Sequence, residues 1–163
     1  MKYLVTTLLV VSFLFYSCKK DELRKTVAIK QYGSTVLNFS SQFSETNWSA
    51  EQLLDTPNSY PSYGDISTAW SFARPDSMRE FIEIGFKTSQ FVAEIEIYET
   101  FNPGAIDSVF LRNENDKKWL LVWSGTATEQ TDTSRIFTIA LKQTTYFVDA
   151  LRITMDSENV EGY

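Results

Sequence analysis

The chain has 163 residues and is acidic, with 21 Asp and Glu against 15 Lys and Arg and a formal net charge of −6. It contains no histidine, which excludes mechanisms that need an imidazole base or a histidine metal ligand. Its single cysteine excludes an intrachain disulfide and a thiolate zinc site, which leaves an oxygen-ligated cation such as calcium as the plausible metal. Basic residues do not cluster around aromatic ones in the body of the chain, so we expect no nucleic-acid partner.

The start of the chain has the pattern of a secretion signal. Lys2 supplies a positive n-region, and the run from Leu4 to Tyr16 is apolar or hydroxylic throughout. A membrane-spanning helix needs about 20 apolar residues, and charged residues end this run at Lys19. We therefore interpret residues 1–17 as a signal peptide rather than an anchor helix.

A lipidation motif follows directly. Residues 14–18 (LFYSC) resemble a bacterial lipobox, so Cys18 is expected to be the mature N-terminus and to carry acyl chains such as palmitate that anchor the chain to a membrane. The alternative is a free or buried thiol. Residues 19–22 (KKDE) are similar to a sorting signal of Bacteroidetes lipoproteins, which predicts an outer-membrane protein exposed at the cell surface. The alternative is an ordinary solvated tether.

The remaining sequence divides into a tether and one domain. Residues 18–33 mix charged and apolar residues without a sustained period, which predicts the lipidated cysteine followed by a flexible tether. Residues 34–163 carry a β-type pattern and are numerous enough to form one domain with its own core.

Alternating apolar residues in this domain predict strands. Residues 81–86 and 92–98 have branched or aromatic residues at alternate positions, and the further strand candidates are 36–39, 106–112, 119–123, 134–141 and 147–155. Residues 47–54 predict one or two helical turns, with Asn47 or Ser49 as the cap. Short strands with hardly any helix predict an all-β, antiparallel β-sandwich.

Three motifs support a family resemblance. They are residues 57–65 (PNSYPSYGD), 69–70 (AW) and 97–105 (IYETFNPGA). Together they resemble the galactose-binding-like jelly-roll domains, also known as discoidin or coagulation factor 5/8 C domains, and in particular the branch found in bacterial surface proteins. In relatives a closing β-strand follows the equivalent of residues 161–163, whereas this sequence stops at Tyr163. We expect the last strand to be missing if the sequence is a piece of a longer chain.

The resemblance implies a structural calcium ion near the first long loop. Its candidate ligands are Asp55, Asn58 and Asp65, because calcium takes about six to eight oxygen ligands and this loop is rich in them. The alternative is that these residues form turns through bonds of their own side chains.

The resemblance also implies a ligand site at one end of the sandwich, where loop-borne rings stack on sugars and polar groups bind hydroxyls. The candidate ligand-binding residues are Tyr60, Tyr63, Trp70, Arg74, Asp76, Phe101 and Asn102. The alternative is core packing, since the chain has four Trp, eight Tyr and twelve Phe. We assign Trp48, Trp119 and Trp123 to the core.

These expectations favour a non-catalytic surface lipoprotein that binds glycans. The alternative is a structural accessory lipoprotein that docks through the same loops onto another outer-membrane or secreted protein. Paired carboxylates such as Glu94 with Glu96, or Asp76 with Glu80, are also compatible with a glycosidase. Because the first pair shares one face of a predicted strand, a solvated outer face explains it without catalysis, and we expect no enzyme activity.

Overall fold

The computed structural model describes residues 28–74, 78–131 and 133–160. The predicted signal peptide, Cys18, the first part of the predicted tether, the candidate residue Asp76 and the end of the chain at Tyr163 lie outside these residues. Within the described ranges, no helix is both long and apolar enough to cross a membrane.

Seven strands and two short 3-10 helices form the described fold. The strands are β1 (Gly33–Phe39), β2 (Arg79–Gln90), β3 (Glu94–Glu99), β4 (Ile106–Asn113), β5 (Trp119–Ser124), β6 (Arg135–Ala140) and β7 (Val148–Asp156). The 3-10 helices are Ala50–Leu53, with the predicted Ser49 at its N-cap position, and Ser157–Asn159. Every predicted strand segment overlaps an observed strand.

The strands form two antiparallel sheets. One sheet has five strands in the order β1-β2-β7-β4-β5, and the other pairs β3 with β6. The predicted all-β, antiparallel β-sandwich is therefore confirmed.

The core lies between the two sheets and is made by alternate residues of each strand. In β2, for example, Ile82 and Ile84 are buried, whereas Phe81 and Glu83 on the opposite face are half-buried. Such alternation follows from the two-residue period of a strand, and each fully buried Ile contributes about 1.5–3 kcal/mol through the hydrophobic effect. The other buried strand residues of this core are Ile95, Ile106, Val109, Leu111, Ile139, Val148, Ile153 and Met155.

Antiparallel order places the connections alternately at two ends of the sandwich. The long-loop end carries the described parts of residues 40–78, 100–105 and 125–134, which connect β1 to β2, β3 to β4 and β5 to β6. The short-loop end carries residues 91–93, 114–118 and 141–147. The candidate ligand-binding residues in the described ranges belong to the first of these ends.

The tryptophans only partly follow the core prediction. Trp123 packs against the core and contacts Phe137 edge to face, with ring centroids 4.9 Å apart. Trp119 does not pack against the core: the Arg112 guanidinium lies 5.4 Å from its ring centroid. Trp48 is also outside the core and lies in a loop. The core assignment of Trp48 and Trp119 is wrong, because sequence alternation does not show which face of an edge strand or loop is covered.

The last part of the predicted tether contacts the domain. Lys30 Nζ donates hydrogen bonds to the Tyr98 hydroxyl at 2.8 Å and to the Glu96 carboxylate, and Gln31 Nε2 donates to the Thr88 carbonyl at 2.7 Å. β1 begins at Gly33, one residue before the predicted boundary. The packed domain thus starts a few residues earlier than the sequence pattern indicated.

Candidate binding site

The candidate site forms where loops of the long-loop end are tied to one another. The Gly64 N–H donates to the Thr100 carbonyl at 2.9 Å, which joins the first long connection to the end of β3. The Ser134 hydroxyl donates to the Pro61 carbonyl at 2.6 Å, which joins the same connection to the start of β6. These bonds join segments that lie 36 and 73 residues apart in the sequence.

A cavity of about 150 Å³ lies between these loops. Its floor consists of aliphatic residues from both sheets, among them Ile82, Ile97, Ile106, Ile153 and Met155. The residues that line it from the loops include Trp48, Asp65, Trp70, Thr100, Phe101 and Asn102. The cavity is therefore mainly apolar at its base, and the loops around it supply polar groups.

An aromatic and amide cluster lies at the edge of the cavity. The Tyr63 and Phe101 ring centroids are 5.6 Å apart, and the Tyr63 hydroxyl donates to Asn102 Oδ1 at 3.0 Å. Tyr63 is 39% exposed, so its ring lies at the surface. An exposed ring beside an amide is suited to stack on one face of a ligand and to bind a polar group at its edge.

The turn that carries this cluster requires a glycine. Gly104 has φ +125°, and a Cβ built there would lie 2.1 Å from the Thr128 carbonyl oxygen. The Gly104 N–H donates to Glu99 Oε1 at 2.9 Å, and Arg135 Nε donates to Glu99 Oε2 at 2.6 Å. Asn102, two residues earlier, also has a positive φ of 38°. The Asn-Pro-Gly motif is therefore held in a conformation that presents Phe101 and Asn102 to the cavity.

Trp70 belongs to the inner wall of the cavity rather than to its surface. Its Nε1 donates to the Ser41 carbonyl at 3.1 Å, and its ring meets Phe72 edge to face at 5.2 Å between centroids. It is half-buried and packs against the core. Trp70 therefore lines the cavity, as expected of a ligand-binding residue, and also packs against the core, as the alternative predicted.

Two other predicted ligand residues in the described ranges lie away from the cavity lining. Tyr60 is half-buried and packs edge to face on Tyr98, with ring centroids 5.4 Å apart. Arg74 is exposed and does not line the cavity. The structure thus places Trp70, Phe101 and Asn102 in the cavity lining. Tyr63 contacts Phe101 and Asn102 without lining the cavity itself, and Tyr60 and Arg74 also lie outside the lining.

The predicted calcium ligands are anchored to different strands. The Asp55 N–H donates to the Gly33 carbonyl at 2.9 Å, at the start of β1, whereas Asp65 follows the Gly64 that is bonded to Thr100 at the end of β3. Asn58 Oδ1 accepts a hydrogen bond from the Ser59 hydroxyl at 3.3 Å. In the described ranges, no three Asp, Glu, Cys or His side chains form a group that could hold a metal ion. Calcium binding by this loop stays a prediction.

Two of the carboxylates considered for glycosidase chemistry, Glu96 and Glu80, have hydrogen-bond partners of their own. Hydrogen bonds from Lys30 and then from Tyr98 lower the pKa of the Glu96 carboxyl. Glu80 is buried and accepts hydrogen bonds from the Ser40 and Ser41 hydroxyls. A catalytic acid of a glycosidase needs a raised pKa, which Glu96 lacks.

Sequence reasoning missed Trp48 as a cavity residue. Trp48 has a φ of 51°, a left-handed conformation that bulky residues rarely adopt. Its N–H donates to the Ser67 carbonyl at 2.8 Å, and its carbonyl accepts from the Ser71 N–H at 3.1 Å. A sequence pattern does not reveal such a conformation, because it depends on the backbone hydrogen bonds between Trp48 and the segment 67–71.

The two packed antiparallel sheets define the class of this protein as an all-β sandwich. Solved structures with this fold include a variant of chitosan-binding module 1 from a Paenibacillus sp. IK-5 chitosanase/glucanase, with a TM-score of 0.54 and 16% identity over 82% of this chain and 90% of that one. The N-terminal domain of the single-strand break repair protein XRCC1 gives a TM-score of 0.55 and 12% identity over 80% and 89% of the two chains.

Saccharomyces cerevisiae allantoicase is similar as well, with a TM-score of 0.52 and 15% identity over 77% of this chain and 37% of that one. No curated protein matches the sequence. The family model described as "Pappalysin-1, SD scarf domain, C-terminal" matches residues 21–161. Because this match covers most of the chain, the protein belongs to that family. The similar structures share the predicted β-sandwich fold with this chain.

Proposed function

We propose that this protein is a non-catalytic glycan-binding module, held at the outer-membrane surface by a lipid on Cys18, and that it binds its ligand at the long-loop end. The observation that carries the proposal is the cavity lined by Phe101 and Asn102, with the exposed Tyr63 ring in contact with both. Rings beside polar side chains suit a pyranose, which has apolar faces and hydroxyls at its rim. The similar fold of the chitosan-binding module supports the same ligand class.

The size of the cavity indicates what part of a glycan would enter it. Pockets for drug-sized ligands measure about 300–1,000 Å³. A cavity of about 150 Å³ is smaller and suits one ring substituent or one small ring rather than an extended chain. We therefore expect the rest of the glycan to lie along the surface next to Tyr63.

The direct test is a glycan screen with the full chain purified in detergent. We expect binding to a plant or host polysaccharide, weakened about tenfold by Tyr63→Ala through the lost ring contact. Tyr63→Phe keeps the ring and removes only the hydroxyl that bonds Asn102, so it should have a smaller effect. Phe91→Ala is the matched control, because Phe91 is an exposed ring at the short-loop end.

The alternative function is docking onto another protein. Absence of binding to every glycan tested, together with co-purification of a stoichiometric membrane protein, would refute glycan binding and favour the accessory role. Equal melting temperatures of the variants and the wild type establish that any loss of binding comes from the site.

The proposed location has its own test. Growth with a clickable palmitate analogue should label the wild type and not Cys18→Ala, because lipidation requires that thiol. Protease treatment of intact cells should remove the domain if it faces outward. A labelled protein that resists the protease would keep the lipid anchor but place the domain on the periplasmic side.

Calcium binding is tested separately from glycan binding. Melting of the full chain with added calcium and with EDTA should differ by several degrees if the loop that carries Asp55, Asn58 and Asp65 binds the ion. Coincident melting curves would show that these residues act as turn formers.

A further inference from the structure

The short-loop end presents a pair of exposed aromatic rings. Phe91 follows β2, and Phe147 precedes β7; they are 44% and 43% exposed, and their rings stack with centroids 4.4 Å apart. The pair therefore keeps a joint apolar surface in contact with solvent. Exposed apolar surface of this kind often marks a contact with a protein or a membrane.

The charges around the two ends differ in sign. Exposed apolar residues such as Phe43 also occur at the long-loop end, so it is the charge that separates the ends. The described connections of the short-loop end carry three exposed lysines, Lys117, Lys118 and Lys142, against two carboxylates, and the exposed Lys87 lies near the end of β2. Those of the long-loop end carry one arginine against five carboxylates, which are Glu45, Glu51, Asp55, Asp65 and Glu129. An anionic surface would attract the first end and repel the second.

The tether joins the sandwich close to the short-loop end. Gln31 Nε2 donates to the carbonyl of Thr88, the third residue from the end of β2. Lys30 Nζ donates to the carboxylate of Glu96, the third residue of β3. Because residues 91–93 connect these two strands, both contacts lie near that connection and the Phe91 ring.

The length of the tether limits which end can reach the membrane. Ten residues separate Cys18 from Ala28, where the described chain begins, and they span at most about 35 Å when fully extended. Along β2, Arg79 at the long-loop end lies nine residues from Thr88, or about 30 Å. A lipid on Cys18 therefore brings the short-loop end to the bilayer easily, whereas the long-loop end would need most of the extended length.

We propose that the short-loop end docks on the bilayer that anchors the chain, with Phe91 and Phe147 at the boundary between headgroups and acyl chains. The lysines around this pair contact the anionic phosphates of the headgroups. The long-loop end and its cavity then face away from the membrane, where a glycan can approach. This inference rests on the proposed lipid on Cys18 and adds the orientation in which the anchored domain is held.

The experiment measures which end approaches the acyl chains. The lipidated full chain is reconstituted into vesicles of phosphatidylcholine and phosphatidylglycerol with brominated acyl chains, which quench nearby tryptophans. Phe147→Trp adds a reporter at the short-loop end, and Tyr63→Trp is the matched control at the long-loop end, since both side chains are similarly exposed. We expect Phe147→Trp to lose at least about twice as much fluorescence as the wild type, and Tyr63→Trp to lose no more than the wild type. Phe91→Trp is a second reporter at the short-loop end.

The role of the lysines is tested in the background of Phe147→Trp. Reversing two exposed charges with Lys87→Glu and Lys142→Glu should remove at least about half of the extra quenching in vesicles that contain phosphatidylglycerol. The same change should have little effect in pure phosphatidylcholine. Arg74→Glu is the matched control, because Arg74 is an exposed cation at the long-loop end. Extra quenching that the double variant leaves unchanged would overturn the contact with headgroups.

The outcomes separate this orientation from the proposed function. Extra quenching of Tyr63→Trp, or of neither reporter in variants that melt like the wild type, would overturn the orientation. Both results leave the lipid anchor and glycan binding intact, because flotation of the protein with the vesicles and the glycan screen in detergent do not depend on orientation. Failure to float with the vesicles would refute the lipid anchor and this inference with it.

Discussion

The two ends of this sandwich share the same strands but differ in how their connections are built. At the long-loop end, connections from both sheets meet through backbone hydrogen bonds such as that from Gly64 to Thr100, and they enclose a cavity. At the short-loop end, the β2–β3 connection is only residues 91–93, and the β4–β5 connection is a turn. The cavity at the long-loop end is therefore formed by connections that meet one another, and not by the sheet framework, which both ends share.

Charge pairs organise part of the short-loop end. Asp149, at the start of β7, accepts hydrogen bonds from Arg112 Nε at 2.8 Å and from Lys117 Nζ at 2.6 Å. A stacked aromatic pair, Phe91 and Phe147, with ring centroids 4.4 Å apart, is exposed nearby. A depression of about 290 Å³ lies at this end as well, but it is more open than the cavity and is lined mainly by residues 141–146 of one connection.

The largest effect should come from Gly104→Ala at the long-loop end. Adding a Cβ at φ +125°, against the Thr128 carbonyl, should lower the free energy of unfolding by about 4 kcal/mol. Gly64→Ala is the matched control: Gly64 has φ +134°, but apart from its chain neighbours no described residue has an atom within 4 Å of the added Cβ, so about 1–2 kcal/mol is expected. Urea unfolding followed by circular dichroism measures both. Equal losses would show that the Asn-Pro-Gly turn adapts to the clash.

An intermediate effect is expected at the short-loop end from Asp149→Asn. Burial by itself would raise the pKa of Asp149, but hydrogen bonds and charges from Arg112 and Lys117 outweigh it and lower the pKa below its ordinary value near 3.8. Loss of these charge-assisted bonds should lower the free energy of unfolding by about 1–2 kcal/mol at pH 7.

The pH dependence of this variant follows from the lowered pKa of Asp149. A carboxyl with a lower pKa in the folded state stabilises the fold above its unfolded pKa of about 3.9, and this contribution is lost as the pH falls through the folded pKa. The difference between wild type and Asp149→Asn should therefore be full at pH 7 and shrink below about pH 4. A difference that stays constant down to pH 2 would mean that packing, and not charge, links Asp149 to its partners.

The smallest effect is expected from Phe147→Ser. Phe147 is 43% exposed and contacts Phe91, so the lost ring stacking should lower the free energy of unfolding by only about 0.5–1 kcal/mol. Glycan binding should not change, because neither ring lines the cavity. Thermal melting and the glycan screen test both statements. Reduced glycan binding in this variant would mean that the short-loop end also contributes to recognition.

Much of the candidate site was predictable from motifs, for a physical reason. The Asn-Pro-Gly turn needs a residue that tolerates a positive φ, and only glycine fits against the Thr128 carbonyl at position 104. That local requirement marks the loop and therefore the position of Phe101 and Asn102. Tyr60 and Arg74 also lie in predicted loops. The sequence does not show which loop residues face the cavity, because that depends on packing against other strands.

The sequence by itself determined the class of fold, because a two-residue alternation such as that of Ile82 and Ile84 gives a strand one apolar face that two facing sheets must bury. It also located the loops that carry Tyr63 and Phe101. Only the tertiary structure decided that these loops meet, that Trp119 lies outside the core, and that Trp48 lines the cavity. Those features depend on contacts between segments far apart in the chain, such as the bond from Gly64 to Thr100, which no local pattern encodes.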